Sequence, residues 1–169
     1  MGDWPRLVNL RRCARCHAAD TGEANNTTVA LTNDSLGADL VLVWQMVVDS
    51  LININLQMSY QQMPPMGTLI PVQPVVPGEG RPPGVVSSGD QPNAFTPDWQ
   101  PANQWLDSFW PATFPFAVLL PGWSLVFQVV GGGTGGVGVN IFWEGILEKY
   151  FDRFYTHAFL EVILAAQGG

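Results

Sequence analysis

The chain has 169 residues, enough for one domain with a sizeable core and too few for two ordinary ones. Charged residues make up 12% and hydrophobic ones 47%, so the surface is to be built largely from uncharged polar residues, Gly and Pro, a composition that suits an assembled state better than a free monomer. The net charge of -7 argues against direct nucleic-acid binding.

Taken in chain order, the first feature is basic. Arg6, Arg11, Arg12 and Arg15 crowd residues 6–15, and 1–19 reads as a basic arm reaching an acidic neighbouring surface or as an edge strand with solvated arginines. The same arginines interrupt the place where an export signal would need an apolar run. Residues 20–28 form a polar turn, 29–32 a short strand, and Asn33-Asp34-Ser35-Leu36-Gly37 has turn chemistry. Residues 40–48 are a nearly continuous apolar run rich in β-branched side chains, the pattern of a central strand covered on both faces. Next, Ile52, Ile54, Leu56, Met58 and Tyr60 alternate with Asn53, Asn55, Gln57, Ser59 and Gln61. This predicts a strand with one buried and one amide-rich face, the latter open to solvent or to another chain.

Ten of the fourteen prolines fall in 63–101. Proline cannot donate to a strand ladder, so this region is expected to be mostly loop, with 68–70 and 75–76 as short extended pieces. A tryptophan-rich segment follows, with Trp99, Trp105, Phe109 and Trp110, whose rings fold back as a lid, meet another subunit, or form a sugar-stacking platform. The longest apolar stretch, 114–130, is broken by Pro115, Pro121 and Gly122 and alternates in its second half, so no membrane span is expected. Leu125, Phe127 and Val129, then Val137, Val139, Ile141 and Trp143, recur at every second position on either side of a glycine-rich segment. That pattern predicts an antiparallel hairpin. From Glu144 onward the period changes to three or four through Leu147, Phe151, Phe154, Ala158 and Val162, with Phe159 widening the apolar face. A C-terminal α-helix over 147–169 is expected, packing between elements or against a copy of itself.

Few residues offer chemistry. Cys13-Ala14-Arg15-Cys16-His17 matches the attachment signature of a c-type haem, with His17 as axial ligand. In a strand, however, residues three apart face opposite ways, which separates the thiols. A zinc site would need His157 as a distant fourth ligand, and a Cys13–Cys16 disulfide would need a tight turn; two reduced, structural cysteines are the expectation, with no cofactor and no metal. The glycines of 131–138 lack the Gly-Lys-Ser/Thr ending of a phosphate loop, and the Asn-x-Ser/Thr triplets at Asn25, Asn26 and Asn33 read as turn residues. Glu144 and Glu148, four apart, are expected as solvated carboxylates at a helix start. No catalytic set emerges.

Several of these pieces together are similar to the small β-sandwich virion proteins of tailed bacteriophages, of the head-decoration, head-fibre and neck or tail accessory types. They are the strand ending in Leu31-Thr32-Asn33-Asp34-Ser35, the run 40–48, and the corner Leu120-Pro121-Gly122-Trp123 leading to Asn140-Ile141-Phe142-Trp143-Glu144. The resemblance covers about residues 27–60 and 114–146. It implies a non-enzymatic subunit of the virion that binds a capsid or tail lattice, partners other virion proteins and forms homo-oligomers. The resulting expectation is an all-β antiparallel sandwich of jelly-roll type over 20–146, with a Pro/Trp-rich excursion at 63–115 and the C-terminal helix. Candidate interaction residues are Arg6, Arg11, Arg12, Arg15, Trp99, Trp105, Trp110, Phe151, Phe154 and Phe159. A carbohydrate-binding module using the three tryptophans, and a haem or metal protein at Cys13, Cys16 and His17, are the alternative readings.

Overall fold

The computed structural model describes residues 10–20, 27–50, 55–62, 67–90, 115, 117–130, 137–149 and 151. These form an all-β structure of two antiparallel sheets facing each other as in a β-sandwich. After a 3-10 turn at Leu10–Arg12 come β1 (Cys13–Asp20), β2 (Thr27–Thr32), β3 (Asp39–Ser50), β4 (Asn55–Gln62) and β5 (Thr68–Ile70). Then follow β6 (Gln73–Pro74), β7 (Val85–Asp90), β8 (Ala117–Leu119), β9 (Trp123–Val130) and β10 (Val137–Leu147). The first sheet has the order β6-β1-β10-β3-β8 and the second β4-β9-β2-β7-β5.

Alternation dictates the core. Val41, Val43, Ala117, Leu119, Val139, Ile141 and Trp143 project from the first sheet, and Val29, Leu31, Met58, Val86, Leu125 and Phe127 project from the second to meet them. Each large side chain so buried contributes roughly 1.5–3 kcal/mol, less the entropy lost on ordering. The expectation that 40–48 is covered on both faces holds for 40–44, where Leu40, Leu42 and Trp44 form a second buried cluster with Ile146 on the outer side of the first sheet, whereas Gln45 and Val47 are half-buried and line an open groove. The outer side of the second sheet is buried too, but by smaller and more polar groups. Thr28, Ala30, Thr32, Ser59, Ser87, Ser124, Val126 and Gln128 all lie there, with Thr32 Oγ1 and Ser124 Oγ sharing a hydrogen bond of 2.7 Å.

Several expectations are corrected. The strands β9 and β10 alternate as read, yet they do not form a hairpin: β9 pairs with β2 and β4, and β10 pairs with β1 and β3 in the opposite sheet. Six glycine-rich residues are as able to cross between sheets as to turn within one, and each strand gains two neighbours by crossing. The proline-rich region is less loop-like than predicted. It holds β5 at 68–70 and the six-residue β7, which pairs with β2 along its whole length; the extended piece next to β5 is Gln73–Pro74 instead of 75–76. In β4 the inward Met58 is buried, but Tyr60 is 37% exposed, and Ser59 of the amide-rich face is buried. At the N-terminus, where either an arm or an edge strand is expected over 1–19, residues 13–19 belong to β1, which pairs with β10 throughout and has only β6 beyond it among the described strands. Finally, β10 runs to Leu147, so residues 144–147 are strand; helical backbone occurs at Glu148, Lys149 and Phe151, and the rest of the expected helix lies outside the described residues.

One end of the sandwich is closed by Asn33. Fully buried, it donates from Nδ2 to the carbonyls of Asp39 (2.8 Å) and Leu119 (2.9 Å), and its Oδ1 accepts from Ser35 N (3.0 Å). Its backbone exchanges bonds with Trp123 O and Gly122 N, both 2.9 Å. The β2–β3 turn is thus stapled to the β8–β9 corner, where Gly122 takes a φ of 78°. Asn33→Ala removes the bonds to one buried and one part-buried carbonyl and to one amide, and is expected to cost about 2 kcal/mol. Ser35→Ala, which loses one exposed bond to Gly37 N, is expected to stay within about 0.5 kcal/mol. Urea unfolding of the two variants checks the contrast.

Candidate interaction site on the outer face of the first sheet

Register decides which chemistry-bearing residues meet. The bond from Val75 N to Cys13 O, 2.9 Å, turns the backbone of Cys13 toward β6. By strand alternation the odd residues of β1 are therefore the close, non-hydrogen-bonded partners of β10. Cys13 lies opposite Glu144, Arg15 opposite Phe142 and His17 opposite Asn140. On the far side of β10, Glu144 pairs with Leu42, Phe142 with Gln45 and Asn140 with Val47, with a bulge between Phe142 and Trp143 that sets Trp44 apart from the ladder.

The face runs from a dry end to a wet one. At the dry end Cys13 and Glu144 are fully buried, and Trp44 Nε1 donates to Glu144 Oε2 at 3.2 Å. Burial, reinforced by the Glu144 carboxylate, pushes the Cys13 thiol up to about 12 from the ordinary 9.0. Cys16 points the other way, into the core between the sheets, where its Sγ donates to Pro71 O at 3.4 Å and burial pushes its thiol up to about 11. The two thiols of the haem-like motif therefore stand on opposite faces of one strand, and the Cys16 thiol does not share a face with the imidazole of His17. Both cysteines are free. Among the described residues no three His, Cys, Asp or Glu gather as metal ligands; His157 lies outside them. Glu144 is a buried strand residue, corrected from a solvated helix-start carboxylate, and does not pair with the exposed Glu148.

At the wet end a groove of about 740 Å³ opens, lined by Arg15, His17, Gln45, Gln73 and Asn140 over Val47, Val75 and Phe142. His17 Nδ1 lies 3.0 Å from Asn140 Oδ1. An amide oxygen only accepts, so Nδ1 is the donor of this bond.

The predicted interaction residues separate. Arg11 Nε pairs with Glu79 at 3.4 Å and Arg12 with Asp39 at 3.0 Å, so both are engaged by acids of their own chain. Arg15 is exposed in the groove, and Phe151 packs against the second buried cluster. Arg6, Trp99, Trp105, Trp110, Phe154 and Phe159 lie outside the described residues. The amides Gln45, Gln73 and Asn140 went unnoticed in the sequence. Asn140 was detectable as a polar residue within an apolar strand, but its partner His17 is 123 positions away and is found only through register.

No family model, curated protein or solved structure matches the chain.

The thiol environments have a measurable consequence. Because folding raises both thiol values above 9.0, the folded chain holds protons that the unfolded chain gives up. The contribution of the thiols to stability is then fully present below about pH 9 and is lost as pH rises toward 11–12. A lower urea midpoint at about pH 10.5 than at pH 8 is expected, a difference that shrinks in Cys13→Ala. In the folded state at pH 8 neither thiol reacts readily with a disulfide reagent, whereas both do in denaturant.

Proposed function

We propose that the chain is a non-enzymatic structural protein of a virus particle of the tailed-phage kind, folded as a jelly roll and held to a capsid or tail lattice and to its own copies. The observation that carries this reading is the nesting of the strand pairs. β1 pairs with β10, β2 with β9 and β3 with β8, and successive pairs fall in alternate sheets. A long antiparallel ribbon wound across two sheets gives this order, with β3–β10 and β4–β9 as the contacts between its turns. Jelly rolls of this type build capsid and lectin domains and cupins.

A fold alone does not fix a function, so the choice within that set rests on the surfaces. Much of both outer sheet faces is buried within the chain, which leaves the groove on the first sheet together with edges, ends and loops for contact. With 12% charged residues, those surfaces are polar but weakly charged and carry little repulsion against copies or a lattice. The described polar lining of the groove beside β1 is an arginine, a histidine and three amides, groups that suit hydrogen-bonded recognition of a partner.

Sedimentation velocity and negative-stain microscopy of the purified full chain test the proposal. A defined oligomer or closed particle that persists on dilution is expected. A chain that remains monomeric at every concentration, and that does not bind purified phage heads or tails, contradicts it.

A further inference from the structure

We propose that the open edge of β1 beside the groove is a β-augmentation site for an extended acidic segment of a partner protein. The inference stands apart from the virion reading, since it needs only the edge and the charge.

The edge comes first. Among the described residues β6 covers β1 only at Ala14 and Arg15, and no strand lies beyond. The Val75 N to Cys13 O bond sets the parity: odd residues of β1 point their backbone groups away from β10. Arg15 meets Gln73 there, whereas no described strand pairs with His17 and Ala19, whose N–H and C=O groups point to that same side, the arrangement to which an added strand bonds.

The charge selects the occupant. Of the four described arginines, Arg11, Arg12 and Arg81 face Glu79, Asp39 and Asp34, while Arg15 has no acidic partner among the described residues. It stands on the groove beside His17, and the lining among the described residues adds the amides Gln45, Gln73 and Asn140 and no carboxylate. A strand laid along His17 and Ala19 places alternate side chains over this face, where a carboxylate finds Arg15 and the amide N–H groups.

The test uses the full-length chain and two labelled, capped peptides of about eight residues, one alternating valine with glutamate and the other valine with glutamine. Fluorescence anisotropy is expected to show saturable binding of the glutamate peptide, with the glutamine peptide about tenfold weaker. Arg15→Gln removes that difference. Ala19→Pro, which deletes one outward N–H and leaves the bonds to β10 in place, weakens both peptides. Hydrogen exchange on the unmodified chain gives a readout independent of how the variants fold: the His17 and Ala19 amides exchange fast alone and slowly with the glutamate peptide. Absence of saturable binding, equal affinity for the two peptides, or unchanged exchange at His17 and Ala19 overturns the proposal. So does protection of those amides that grows with protein concentration in the absence of peptide, which assigns the edge to a second copy.

Discussion

Trp143 is the point on which the rest of the sandwich depends. It is fully buried at the middle of the inner face of β10, and its Nε1 donates to Pro83 O at 2.9 Å. The chain next to it is cut to fit. Gly84, at φ 117°, leaves 2.6 Å between the indole nitrogen and the place a Cβ would take, and a Cβ on Gly145 would come within 2.7 Å of Pro83. Prolines that look like loop formers in the sequence thus act as packing surface against one ring. From Gly84 the contacts continue outward: its N–H donates to Asp34 Oδ1 at 2.7 Å, and Arg81 bridges Gly84 O and Asp34 Oδ2. Asp34 adjoins Asn33, which ties the β2–β3 turn to the β8–β9 corner. One indole therefore links the last strand, the proline-rich excursion and both turns at that end.

Fixing Trp143 inward also determines the other face of β10. Phe142, Glu144 and Ile146 must then point outward, and the bulge beside Trp143 sets Trp44 where its indole reaches Glu144. A buried carboxylate is tolerated only where donors satisfy it, and Trp44 supplies one. Cys13, placed opposite by the β1–β10 register, takes on the consequence as a thiol that resists ionisation. The same register carries His17 to Asn140 two rows along, where the face meets water. The dry cluster and the wet groove are thus two ends of one row of strand pairs.

Much of this was legible in the sequence where the signal was local. Alternation in 123–130 and 137–143 identified the inward residues Leu125, Phe127, Val139, Ile141 and Trp143, and the β-branched run identified β3 as covered on both faces. Pairing was not legible. Two alternating strands separated by glycines read as a hairpin, and nothing local says that each prefers partners from elsewhere in the chain. The helix start was misplaced because Glu144 and Leu147 fit a helical period as well as a strand that ends with a buried acid. β7 was lost because Val85-Val86-Ser87-Ser88-Gly89-Asp90 is short, half polar and preceded by prolines. The groove depends on residues 15–17, 45–47, 73–75 and 140–142, which no spacing rule brings together.

The edges follow from the same topology. Strand edges invite pairing, and proteins commonly blunt them by shortness or by lysine. Here β5, β6 and β8 are two or three residues long, and the chain has one lysine, Lys149, beyond the end of β10. That leaves the eight residues of β4, residues 44–50 of β3 beyond β8, and the part of β1 beyond β6 as the long edges among the described strands. The edges of β4 and β1 differ in kind. β4 carries no charged residue along Asn55–Gln62, so it discriminates partners by shape and hydrogen bonding alone. β1 adds the sign of a charge through Arg15. In a protein with so few charges, one arginine that has no acid partner among the described residues gives that edge its preference for an incoming carboxylate, which an uncharged edge such as β4 lacks.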